Sequence, residues 1–99
     1  MHRDIKLENI LVNTNENGQV TDLKLADFGF ACVAQELNSE ENFCGSIQYM
    51  APEQLKEDGV YDQSADIWSM GHILFQLLTG SQVYDEEVED DVELIKVIL

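Results

Sequence analysis

Three short stretches carry side chains that could do chemistry together. They are His2-Arg3-Asp4-Ile5-Lys6-Leu7-Glu8-Asn9, Asp27-Phe28-Gly29 and Ala51-Pro52-Glu53. Carboxylates and an amide offer oxygen donors of the kind a hard cation takes. An aspartate with a lysine two residues on sets a positive charge beside a proton acceptor. Taken singly, each residue has a plain role: Asp4, Asp27 and Asp66 as helix or turn caps, Lys6 as a solvated charge. The order and spacing argue against that. The five types at His2, Arg3, Asp4, Lys6 and Asn9 arise together by chance at roughly one start position in a few million. Asp27-Phe28-Gly29 alone would be weak evidence; the ordered set is strong.

These stretches are similar to the signature motifs of the eukaryotic protein kinase family, serine/threonine type. The similarity extends to Asp66-Ile67-Trp68-Ser69-Met70-Gly71, which resembles the start of the central helix of the large lobe. Gly45-Ser46 sits where the family has a Gly-Thr or Gly-Ser pair. The resemblance implies an α+β, kinase-like fold: a mostly helical large-lobe fragment with a short β-hairpin. Residues 1–99 are then a partial kinase domain, with a catalytic loop at 2–9, an activation segment at 27–53 and a central helix at about 64–79. It implies ATP and Mg2+, with transfer of the γ-phosphoryl group to Ser or Thr hydroxyls of a protein substrate. By the same resemblance Asp4 accepts the substrate proton and Lys6 neutralises the group in flight. Asp27 and Asn9 ligate metal, and Ser46 contacts the Asp4–Lys6 pair. Phe28, Gly29, Glu53 and Asp66 are structural. Arg3 is the partner of a phosphate on the activation segment, where Ser39 is the candidate, or of the carboxylates Glu36, Glu40 and Glu41.

Other motifs of the family are not found. The glycines stand at 18, 29, 45, 59, 71 and 80, so no Gly-x-Gly loop is present. Lys24 lies on the wrong side of the catalytic loop for the strand lysine. The family's arginine partner for Glu53 is missing, since Arg3 is the sole arginine. The competing expectation is a catalytically inactive, kinase-like interaction fragment.

The elements that must position these residues can be read from pattern. Ile10 to Asn13 and Val20 to Ala26 read as strands joined by a turn at 13–18, a hairpin with a long tip. The turn imitates an EF-hand loop, but Asn13 and Lys24 stand where Asp and Glu ligands belong. Phe30 to Ser46 reads as a loop. Ala51 to Lys56 reads as a short helix with Pro52 in its first turn. From Ser64 to Thr79 apolar residues nearly run together, which predicts a buried helix capped by Ser64 and stopped by Gly80. Glu93 to Leu99 reads as a further helix.

Composition excludes other classes. The chain of 99 residues has 20 acids against 5 bases, a formal net charge of −15. That sign disfavours nucleic acid and an anionic membrane surface as partners. Seven acids fall within residues 85–93, which reads as a solvated charge run. Two cysteines, Cys32 and Cys44, are too few for a disulfide or zinc framework and read as reduced thiols of an intracellular, cytoplasmic protein. Oligomeric state is not readable.

Overall fold

The computed structural model describes residues 1–33, 43–56, 60–84, 88 and 90–99. Strands β1 (Ile10–Thr14) and β2 (Val20–Leu25) form one antiparallel hairpin. Ile10 faces Leu25 and Val12 faces Leu23, with an irregularity between Asn13 and Thr14. The tip is held by Asn15, whose side-chain oxygen accepts from the N–H groups of Asn17 and Gln19, both at 3.0 Å. That oxygen serves the backbone, so the EF-hand likeness is a turn.

Helix α1 spans Ser64–Thr79 and helix α2 spans Asp91–Ile98. The cap of α1 differs from expectation. Gln63 takes the cap position, and Asp62 Oδ1 accepts from Ser64 N–H at 2.8 Å. An oxygen two residues upstream does the work assigned to the Ser64 hydroxyl. At the other end Gly80 adopts φ 75° and its N–H donates to Gln76 O at 2.8 Å. Helix α2 begins earlier than the apolar pattern suggests, because Asp90 Oδ1 accepts from Val92 N–H. Short 3₁₀ turns occupy Leu7–Asn9, Ile47–Tyr49 and Pro52–Leu55. The last replaces the expected helix at 51–56. Gln54 Oε1 reaches back to Ala51 N–H at 2.9 Å, and the extended backbone at Lys56 ends the turn.

The expectation of a helix buried on nearly all sides is corrected. Only Ala65, Ser69, His72 and Ile73 of α1 are buried, and Leu78 is 77% exposed. The molecule measures 18 Å across its thinnest dimension. A helix with its side chains is already about 10–12 Å wide, so one more layer fits and one face stays open. The radius of gyration, 14.9 Å, exceeds the about 13 Å of a compact chain this long. The core is two small clusters: Ile5, Tyr49 and Ile73, with Leu7 and Ile10 against them, and Ala51, Tyr61 and Ala65, with Met1. Among the described residues no helix is long and apolar enough to cross a membrane, and both cysteines are free thiols.

The left-handed turn at Gly80 generates a prediction. Gly80→Ala should destabilise the fold by about 1 kcal/mol, and Gly80→Asn by less, because Asn tolerates this conformation. Urea unfolding midpoints of the two variants check it.

Candidate active site

The catalytic-loop stretch is shaped by a carboxylate from a distant helix. Asp66, in the first turn of α1, accepts from His2 N–H at 2.7 Å and Arg3 N–H at 2.9 Å. Those bonds hold Arg3 at φ 71°, a conformation L residues avoid. Gly45 is required opposite. A Cβ there would lie 2.4 Å from the Arg3 carbonyl oxygen, and Gly45 has φ 102°.

His2 links this loop to the second motif. Its Nε2 donates to the Ala26 carbonyl at 3.0 Å, while Nδ1 accepts from Asp4 N–H at 3.3 Å. That assignment satisfies both ring nitrogens in one tautomer. Ala26 N–H in turn donates to Asn9 O at 2.8 Å. Ala26 is thus gripped from both sides by the loop, and Asp27 follows it at φ 58°. Asp27 Oδ1 accepts from Gly29 N–H at 3.2 Å. Phe28 meets the His2 ring edge-on at 4.9 Å but stays 61% exposed. A Cβ on Gly29 would lie 3.1 Å from Asp27 Oδ1, so a larger residue would press on that carboxylate.

Four donors from three residues converge on buried Asp4. Its Oδ1 accepts from Ser46 N–H at 3.0 Å and Ser46 Oγ at 2.9 Å. Its Oδ2 lies 3.3 Å from Lys6 Nζ and accepts from Asn9 Nδ2 at 3.2 Å. Lys6 Nζ also donates to Ser46 Oγ at 2.8 Å, and Asn9 Nδ2 to Asp4 O at 2.9 Å. A carboxylate offers about four lone-pair positions, and all are used. Burial pushes the Asp4 carboxyl up, but the Ser46 hydrogen bonds and the Lys6 charge outweigh it and hold it below the usual range.

The oxygen donors left for a cation are the Asn9 amide oxygen and the exposed Asp27 carboxylate. No group of three His, Cys, Asp or Glu side chains suited to a metal occurs among the described residues. A magnesium ion needs no such cage, since it keeps waters and substrate phosphates and uses one or two protein oxygens. The donor set fits magnesium on that chemistry.

The sequence matches the protein kinase domain over residues 1–98. This chain belongs to the protein kinase family. It is 55% identical over 82 residues to the serine/threonine-protein kinase ATG1c of Arabidopsis thaliana, covering 81% of this chain and 10% of that protein. It is 40% identical over 90 residues to the Aurora kinase of Saccharomyces cerevisiae, covering 91% and 23%. It is 42% identical over 89 residues to the CBL-interacting serine/threonine-protein kinase 13 of Arabidopsis thaliana, covering 87% and 17%. The chain therefore spans less than a quarter of the length of each of these three relatives.

The structure brings Asp4, Lys6, Asn9 and Ser46 together, and ties Ala26, the residue before Asp27, to Asn9 and His2. Arg3 lies apart from that cluster. Its Nε donates to the Phe30 carbonyl and its Nη1 to Tyr61 Oη at 3.4 Å. Ser39, Glu36, Glu40 and Glu41 fall outside the described residues. Glu53 is half-buried and has no ion-pair partner among the described residues, in keeping with the single arginine. Sequence reasoning gave no role to Gly45, His2 or Tyr61. The requirement for glycine is a close approach that only the fold reveals, and the two bonds of His2 depend on where Ala26 and Asp4 lie.

Two predictions follow from this geometry. Gly45→Ala must move the loop off Arg3 and should cost about 1–3 kcal/mol in unfolding free energy. The second concerns acid. A carboxylate held below its unfolded pKa stabilises the fold above that value. The contribution is lost as pH falls below about 3.9, the ordinary Asp value, through the lower folded value. Urea unfolding between pH 2 and 6 should show an acid loss in the wild type that Asp4→Asn flattens.

Proposed function

We propose that this chain forms part of a serine/threonine protein kinase that transfers the γ-phosphoryl group of ATP to Ser or Thr hydroxyls of a protein substrate. The observation that carries the reading is the Asp4 carboxylate held jointly by Lys6, Asn9 and Ser46. Phosphoryl transfer is mostly positioning and charge neutralisation. Asp4 supplies the positioning. An incoming hydroxyl that donates to Oδ1 or Oδ2 displaces one of four existing donors, so its oxygen is fixed where the loop dictates. Low basicity suits this task. Asp4 is ionised at neutral pH and takes the proton only as the hydroxyl oxygen bonds to phosphorus and the bond to the leaving diphosphate breaks. Lys6 Nζ, between Ser46 and Asp4, holds a positive charge against the transferring group. A lysine here fits Ser/Thr rather than Tyr specificity by family resemblance. Asp27 and Asn9 would hold magnesium, which when bound neutralises phosphate charge.

Arg3 is proposed to pair with a phosphate on Ser39 or with the nearby glutamates, and Phe28, Gly29, Glu53 and Asp66 to be structural. The partners are ATP and a protein, and the setting intracellular. A second reading, an inactive interaction fragment, is favoured by the open apolar side of α1. Magnesium-dependent nucleotide binding by the 99-residue chain bears on both readings: little or none is expected, since the Gly-rich loop and strand lysine are not found in it, and micromolar affinity would overturn the view that those parts are needed.

The deciding experiment is peptide phosphorylation by the full-length protein. Asp4→Asn should lower kcat by about 100-fold or more while leaving nucleotide binding intact. Asp27→Asn should abolish the metal-dependent part of nucleotide binding. Wild-type turnover by Asp4→Asn would sink the assignment.

A further inference from the structure

Helix α1 carries one polar stripe within its apolar sequence. Ser69, His72 and Gln76 stand at i, i+3 and i+7, which places them on one face. All three meet the segment that follows Ser46, two of them by hydrogen bonds. Ser69 Oγ donates to the Tyr49 carbonyl at 2.8 Å. Tyr49 Oη donates to Gln76 Oε1 at 2.9 Å. The His72 ring packs against the Tyr49 ring at 6.1 Å and lines a small cavity together with Gln48.

His72 is 7% exposed, with the rings of Tyr49, Trp68 and Tyr84 at 6.1, 5.7 and 5.3 Å. Its Nδ1 is the one buried side-chain polar atom among the described residues with no partner. Burial lowers the His72 pKa, which favours the neutral ring, and a neutral ring carries a lone pair on one of its two nitrogens. Buried polar groups are satisfied by protein or by ordered water. A cavity of about 10 Å³ adjoins the ring, lined also by Gln48, Gln76, Gln82 and Tyr84. That is room for a single water in a polar setting.

We propose that His72 is a positioning residue for the segment carrying Ser46, and that the adjoining cavity binds one water molecule that donates to Nδ1. A water that donates to Nδ1 fixes the ring in its Nε2–H form, and that ring packs on Tyr49, three residues beyond Ser46. The ring thereby sets where Ser46 meets Asp4. Only the kinetic readout rests on the kinase reading; the water and the tautomer do not.

The test uses the full-length protein. Ring ¹⁵N shifts should report the Nε2–H tautomer, and a high-resolution crystal structure should show an ordered water on Nδ1. The opposite tautomer or an empty cavity overturns the proposal. In peptide phosphorylation, His72→Phe keeps the ring volume and removes both nitrogens. It should raise the peptide KM about tenfold and leave the ATP KM within about twofold. His72→Gln restores a side-chain oxygen that can accept from the cavity water and should recover most of the loss. Equal loss in both variants, or a change confined to the ATP KM, overturns the positioning role. Should the wild type transfer no phosphate, the kinase reading fails, and the tautomer and water still decide this one.

Discussion

The Asp66 carboxylate is the contact on which the rest of the site depends. It reaches across 63 and 64 residues of sequence to two consecutive N–H groups, those of Arg3 and His2. A hydrogen bond to a charged group contributes about 1.5–3 kcal/mol. A non-glycine residue at positive φ costs about 1–3 kcal/mol. Two such bonds outweigh one strained residue, so Arg3 stays where no local preference would put it. The strained turn aims Asp4 inward and lets Gly45 lie against the Arg3 carbonyl. The site is built from the first turn of α1 outward, although the residues that would do chemistry lie elsewhere.

The same logic governs Asp4. A buried carboxylate is costly unless hydrogen bonds and an opposite charge meet it. Lys6 alone would leave Oδ1 unsatisfied. Ser46 gives that oxygen two donors from one residue, and Asn9 gives Oδ2 a second. Ionisation of Asp4 is therefore a property of the fold around it. Two of the chain's five basic residues, Arg3 and Lys6, fall in this loop, amid a strongly acidic composition. Lys6 counts more for that reason, since little other positive charge lies in the chain.

How much of this could be read beforehand differs by kind of residue. Motif residues such as Asp4, Lys6, Asn9 and Asp27 are legible through their resemblance to a family pattern of fixed types and offsets. The hairpin was legible from β-branched runs and its Asn-rich turn. The environment of α1 was not. A 16-residue helix rich in apolar residues predicts burial only if neighbours exist to cover it, and pattern does not count neighbours. Ser69, His72 and Gln76 were overlooked for the complementary reason: within an apolar helix they look like dilution, and their common face matters only once Tyr49 lies on it. Gly45 and the Asp62 cap depend on backbone approach and φ, which a list of residue types does not contain.

Site and core answer to different forces. The apolar clusters are small, and side chains such as Leu74, Leu77 and Leu78 stay exposed on α1. Burying one large apolar side chain contributes about 1.5–3 kcal/mol, and a whole domain is stable by only about 5–15 kcal/mol. Covering the open side of α1 could thus decide whether the fold persists. The geometry at Asp4 is set by something else. Its bonds to Ser46, Lys6 and Asn9 and the clamp from Asp66 are short, directional and mostly charge-assisted, and none uses the exposed side chains. A gain or loss of apolar cover should therefore change how often the chain is folded more than the shape of the site when it is.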